Sequence, residues 1–281
     1  MKLSQSTKLY FNYPLEEAIR RLARIGYSGV EIWGGRQHAY YRDVSRERAE
    51  NIKALVKDSG MEISGFIPAQ FGYPTSLCSP TEGIRADSVA YLKSSIDTAV
   101  NMDCYKVSIC PGHTLFGQGY NEGMEQLSKS VSELLAYADQ HEVVLLLEPA
   151  HRLESDLILT VEEGLRFIEG FDSDKLGIAM DTGHCHVNKE SLSDNILMLY
   201  QADVPFHIHL DDNNGLSDQH KIPGEGSLNF IPFLRGLYEN GYEGFLTVEL
   251  GLDYIVEPDA AAHESKKYLS SLLEEVQKYI H

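Results

Sequence analysis

Short β-branched and apolar runs alternate with longer stretches of helical periodicity along the whole sequence, and this alternation restricts the fold more than any other feature. The candidate strands are residues 3–10, 29–33, 62–67, 105–110, 143–148, 176–181, 206–210 and 245–250. Helical candidates lie between them at 15–24, 47–59, 84–101, 124–140, 161–169, 231–240 and 260–279, with a weaker one at 195–200 behind Ser191. Arg24-Ile25-Gly26-Tyr27 and Glu239-Asn240-Gly241-Tyr242 place a glycine between helix and strand, which suits a C-terminal glycine cap. Eight units in 281 residues give about 35 residues per unit, the size of one βα repeat in a closed barrel. No shift of composition marks a linker. The expected architecture is α/β, a single (β/α)8 TIM barrel forming one domain over residues 1–281.

Charge narrows the classes of partner. The chain carries 24 Lys and Arg against 42 Asp and Glu, a formal net charge of −18, which repels phosphate polyanions and anionic membrane surfaces at long range. No run approaches about 18 consecutive apolar residues, and the N-terminal MKLSQSTKLYFNYPLEE lacks an apolar signal region, so a cytoplasmic location is expected. Cys78, Cys104, Cys110 and Cys185 show no CxxC spacing and are expected to be buried thiols.

In a barrel of this kind the chemistry sits at the C-terminal ends of the strands. With strand interiors expected to be apolar, the polar strand ends carry the information. Four consecutive strands end in or near Glu148, Asp181, His209 and Glu249, a mixed oxygen and imidazole set. Such ligands suit Mn²⁺, Co²⁺, Zn²⁺ or Mg²⁺, and three carboxylates without thiolates lean towards the harder ions. Each residue taken alone reads equally well as a satisfied polar group of the barrel mouth. Together, without a cation, the three carboxylates would repel one another, and at least one would stay protonated.

A second tier surrounds them: His184 in DTGHCH, Glu154 in EPAHRLE, and Asp212, Asp218 and His220 ahead of IPGEG. His207 and His209 are assigned to opposite faces of their strand, so that only one is expected to face the site. His151 and His186 are read as ordinary polar residues. Trp33, the only tryptophan, ends the second strand in EIWGGRQHAYY and offers either a wall for a sugar face or rim packing. Gly34-Gly35 and the GEG at 224–226 lack the context of phosphate-binding loops.

The strand-end Glu148, DTGH at 181–184, HIHLDD at 207–212, HKIPGEG at 220–226 and GYEGFLTVEL at 241–250 resemble the xylose isomerase-like barrel superfamily over the whole chain. Within it, EIWGGRQHAY, HKIPGEG and TVEL are most similar to the fructoselysine 3-epimerases, with the ketose 3-epimerases as next neighbours. The resemblance implies one divalent metal ion, Mn²⁺ or Co²⁺ with Mg²⁺, Zn²⁺ or Ni²⁺ as alternatives, held by Glu148, Asp181, His209 and Glu249. It implies that Glu148 and Glu249 are the catalytic acid and base, one removing the C3 proton of a ketose or fructosamine and the other returning a proton to the opposite face of a cis-enediolate. Glu154 and His184 fall on substrate-contacting positions, and His220 stands where the family has an arginine; Trp33 completes the expected substrate wall.

Two alternatives share the fold. Reprotonation at C1 would make an aldose–ketose sugar or sugar-phosphate isomerase. An apurinic endonuclease-like zinc hydrolase matches at Glu148, Asp181, His184, His209, Asp218, His220 and Glu249, but Cys110 in ICPGH and the histidine-free FIPAQFGYP leave its zinc set incomplete. A non-catalytic sugar-binding protein is a third class. The expected partner is a small sugar, with no nucleic acid and no membrane, and a homo-oligomer is left open. Arg36, Arg152 and Lys221 are the candidates for an anionic end of the substrate.

Overall fold

The structure is a computed structural model that describes residues 1–70 and 75–278. The last residue of the helix expected at 260–279 and the final FGYP of FIPAQFGYP lie outside the described residues. Eight parallel strands close in sequence order: β1 Lys2–Ser6, β2 Gly29–Trp33, β3 Glu62–Ile67, β4 Lys106–Ile109, β5 Val144–Leu147, β6 Leu176–Asp181, β7 Phe206–Leu210 and β8 Phe245–Val248, with β8 returning to β1. The helices are α1 Leu15–Ile25, α2 Arg46–Asp58, α3 Glu82–Asn101, α4 Tyr120–Asp139, α5 Val161–Ile168, α6 Thr182–Val187, α7 Leu192–Ala202, α8 Phe230–Glu239 and α9 Pro258–Lys278.

Apolar spacing explains why each helix lies on the barrel. In α1, Leu15, Ala18, Ile19 and Leu22 form one fully buried stripe. Each buried leucine or isoleucine there contributes about 1.5–3 kcal/mol relative to exposure. The helix ends as expected at Gly26, whose φ of 92° lets its N–H reach the carbonyls of Leu22 and Ala23. Gly241 repeats the device after α8 at φ 71°. All four cysteines are buried and unpaired, and among the described residues no helix is long and apolar enough to cross a membrane.

Three expectations are corrected. The first strand does not run to residue 10; it stops at Ser6, and Thr7–Tyr10 turns into a 3-10 helix whose entry Ser6 caps by accepting from the Lys8 N–H. The strand interiors are not uniformly apolar. Ser4 Oγ lies 2.6 Å from Ser64 Oγ, Ser64 3.4 Å from Thr247 Oγ1, and Thr247 3.0 Å from His207 Nε2, a polar column inside the barrel. Nor do His207 and His209 face opposite ways. Residues two apart share a face of a strand, and both imidazoles converge on Glu31 Oε1, at 3.3 and 3.0 Å.

Candidate active site

Glu148 and Glu249 stand one residue past the last ladder residues of β5 and β8, yet the backbone still fixes them: Glu148 N–H donates to the Ile109 carbonyl at 2.9 Å and Glu249 N–H to Leu210 at 3.0 Å. Asp181 ends β6, and His209 lies within β7. The four predicted groups converge, each offering a ligand atom within 4.8 Å of the others, and all four are buried. His209 Nδ1 is 2.9 Å from Glu148 Oε1 and 3.4 Å from Glu249 Oε2.

Asp181 uses its two oxygens differently. Oδ1 accepts the His184 N–H at 2.8 Å and so caps α6, while Oδ2 is buried without a hydrogen-bond partner among the described residues. Burial, and then the charge of neighbouring Asp211, push this carboxyl up to about 8. Burial acts on His209 in the sense that lowers a histidine pKa, but the Glu31 and Glu148 charges outweigh it and hold the imidazole well above its usual range. Glu249 goes the other way: despite burial, Lys8 and then His209 hold its carboxyl far below the ordinary range. Three buried carboxylates gathered round one imidazole leave an excess of negative charge that a divalent cation would relieve. Buried carboxylates, an imidazole and an orphaned carboxylate oxygen fit such an ion in charge and donor type.

The second tier assembles on Asp218. Its Oδ2 lies 2.7 Å from His220 Nε2, 3.2 Å from His151 Nε2 and 3.7 Å from His184 Nε2. His220 Nδ1 also meets Asp211 Oδ2 at 2.6 Å, and Glu154 Oε2 approaches His184 Nε2 at 3.6 Å. His184 is driven down by burial, yet the charges of Asp181 and Glu148 carry it up to about 9. A cavity of about 300 Å³ is lined by the polar residues Glu148, Glu249, Glu154, His184 and His220 and by Trp33, Ile67, Pro68 and Ala69. It adjoins a wider space of about 770 Å³ bounded by His151, Asp218, Leu153 and Leu252. Trp33 lines the cavity and also packs against Phe11, ring centroids 5.3 Å apart.

Other candidates have different roles. Asp212 is a loop staple: its carboxylate accepts the N–H groups of Asn213, Gly224, Gly226 and Leu228, which shapes the IPGEG segment. Arg36 pairs with Asp43 on the surface, and neither it, Arg152 nor Lys221 lines these two spaces. His38 is fully buried, with Nδ1 3.1 Å from Thr7 Oγ1 and Nε2 3.1 Å from two carbonyls. Sequence reasoning overlooked Lys8, Glu31, Gln70 and Asp211, and weighed Cys110 only as a gap in a zinc set. For Glu31 a signal existed, because a carboxylate within GVEIW shares the strand face of Trp33.

An eight-stranded parallel barrel with an acidic, histidine-bearing cluster at its strand ends defines a class of barrel enzymes. The chain belongs to the xylose isomerase-like TIM barrel family, whose pattern it matches over residues 19–272. Among individual proteins it is 32% identical to the fructoselysine 3-epimerase of Shigella flexneri over 278 residues, 99% of this chain and 100% of the relative. It is also 32% identical to that of Escherichia coli O157:H7, covering 98% of this chain and 99% of the relative. The crystal structure of a D-tagatose 3-epimerase-like protein superposes with a TM-score of 0.86 at 24% identity, covering 100% of both chains.

Proposed function

We propose that this protein is a divalent-metal-dependent carbohydrate epimerase that inverts C3 of a ketose or fructosamine. The observation that carries the reading is that Glu148 and Glu249, held on the non-adjacent strands β5 and β8, both reach His209 Nδ1 and both line one cavity. The full-length likeness to the fructoselysine 3-epimerases supports the choice of reaction. Glu148, Asp181, His209 and Glu249 are the proposed metal ligands, with Mn²⁺ or Co²⁺ the proposed ion. When bound, the ion supplies Lewis acidity that makes a proton beside a carbonyl easier to remove.

The protein's own groups do the rest. One glutamate takes the C3 proton from one face of the substrate, and the other returns a proton to the opposite face of the planar enediolate. In this reading Glu154 and His184 hydrogen-bond substrate hydroxyls, Trp33 covers an apolar sugar face, and His220, whose Nδ1 lies 3.2 Å from the Glu249 carbonyl, helps orient the substrate. Glu31 receives His209 Nε2 at 3.0 Å, which leaves Nδ1 turned towards the carboxylates. Cys110, with Sγ 3.9 Å from Glu148 Oε2, stands where the nuclease-like alternative requires an imidazole. The test is a substrate screen with Mn²⁺-reconstituted protein against free ketoses, ketose phosphates and fructosamines. Epimer formation from a ketose or fructosamine is expected; turnover confined to aldose–ketose interconversion would overturn the reading.

A further inference from the structure

Lys8 has no part in the proton transfers just described, yet it stands on the wall where they would occur. Its ammonium is 2.8 Å from Glu249 Oε1, whereas Oε2 of the same carboxylate faces His209 Nδ1 at 3.4 Å. Lys8 therefore steadies Glu249 without using the oxygen turned to the four-residue cluster. Among the described residues Glu249 is the only hydrogen-bond partner of Nζ, so one of three N–H donors is engaged. The side chain borders both the inner cavity and the wider space beside it.

The backbone beneath it is well anchored. Thr7 Oγ1 accepts the Trp33 N–H at 2.9 Å and meets His38 Nδ1 at 3.1 Å, and Leu9 and Tyr10 are fully buried. The wall it joins is rich in acceptors and poor in donors. Glu148, Glu154 and Glu249 accept when ionised. Gln70 directs its amide N–H groups at the carbonyls of Pro68 and Ser108, and both ring nitrogens of His220 face carboxylates. A polyhydroxylated ketone brings acceptor oxygens, and its carbonyl oxygen gains negative charge when the neighbouring carbon loses a proton. Among the described residues that line it, Lys8 Nζ, His184 Nε2 and the Trp33 indole N–H are the nitrogen donors left to meet them, and Lys8 alone of the three also holds Glu249.

We propose that Lys8 is a substrate-contacting residue that donates to an oxygen of the bound ketose beside Glu249, while holding that glutamate with another N–H. The inference rests on the epimerase reading and takes it further: the group recognised at this point of the cavity is a hydroxyl or a developing oxyanion, not the amine of a fructosamine. The test compares wild type, Lys8→Met and Lys8→Arg by calorimetric titration, first with Mn²⁺ and then with D-fructose and fructoselysine at saturating Mn²⁺, alongside steady-state epimerisation. Lys8→Met should weaken sugar binding about tenfold or more, the loss expected for a charge-assisted hydrogen bond. Lys8→Arg should recover part of it, and Mn²⁺ should bind both variants at least as tightly as wild type. Wild-type sugar binding in Lys8→Met would overturn the proposal, as would a loss that follows weakened Mn²⁺ binding and vanishes at saturating metal. If Lys8→Met does not fold, Lys8→Gln, which keeps a donor but no charge, gives the same comparison. Wild-type protein that binds these sugars without epimerising them sinks the epimerase reading and leaves Lys8 to be judged by binding; wild type that binds neither sugar sinks both.

Discussion

Glu31 is fully buried between two imidazoles, and its effect on the site is exerted through His209. Burial would raise its carboxyl, but His209 and His207 hold it down at about 2, so it remains an anion facing His209 Nε2. Replacing it by Gln keeps the volume and removes the charge that fixes the imidazole. Mn²⁺ affinity of Glu31→Gln should fall about 10- to 100-fold, the usual consequence of losing a carboxylate behind a metal-binding histidine. Manganese titration followed by electron paramagnetic resonance measures this, and an unchanged affinity would show that Glu31 merely fills the barrel. Asp181 offers a companion test, since Asn can still accept the His184 N–H and cap α6. Asp181→Asn should melt close to wild type while binding Mn²⁺ much more weakly. The strand-end residues Glu148, Asp181, His209 and Glu249 were legible because their sequence positions coincide with strand termini. Lys8 was not, because a charge inside an expected apolar strand finds its reason only in a partner 241 residues away, and for Glu31 the sequence offered a shared strand face with Trp33 but not the His209 partner 178 residues away.

The elements were legible wherever a periodic apolar stripe met a cap. Helix α5 is the clearest: Thr160 Oγ1 accepts the Glu163 N–H at 3.1 Å, and Glu163 Oε2 reaches back to the Thr160 N–H at 3.2 Å. Thr160→Ala should cost about 1 kcal/mol and lower the melting temperature by about 2 °C. Differential scanning calorimetry decides this, and a variant that melts with wild type would mean that packing alone holds the start of α5. Helix α6 escaped sequence reading because it is only six residues long and begins directly after a residue already assigned to the site. Its N-cap is the side chain of Asp181, so one turn of helix and one proposed metal ligand share a single residue. The 3-10 turn after β1 was hidden for a related reason. Thr7–Tyr10 follows the strand without a glycine or proline to mark a break, and the Ser6 cap and the contact of Thr7 with buried His38 exist only in the folded chain.

At the scale of the whole molecule, the barrel order followed from eight evenly spaced units, while the polar column inside it did not, since the pairing of Ser4, Ser64, Thr247 and His207 exists only once the sheet closes. The net charge of −18 and the acidic walls of the cavity lead to one exclusion: incubation with an abasic-site duplex and Mn²⁺ or Zn²⁺ should give no strand cleavage. Nicking that disappears in Glu148→Gln would place the protein with the nucleases of its superfamily instead. The central claim, that Glu148 and Glu249 act from opposite faces of one substrate, is tested most directly by the hydrogen at C3. In D₂O, with Mn²⁺ bound and under single-turnover conditions, the epimeric product should carry deuterium at C3, because the proton removed by one carboxylate and the one delivered by the other are different. Both Glu148→Gln and Glu249→Gln should abolish that incorporation in either direction. Product that retains protium at C3, or carries deuterium only at C1, would contradict the assignment.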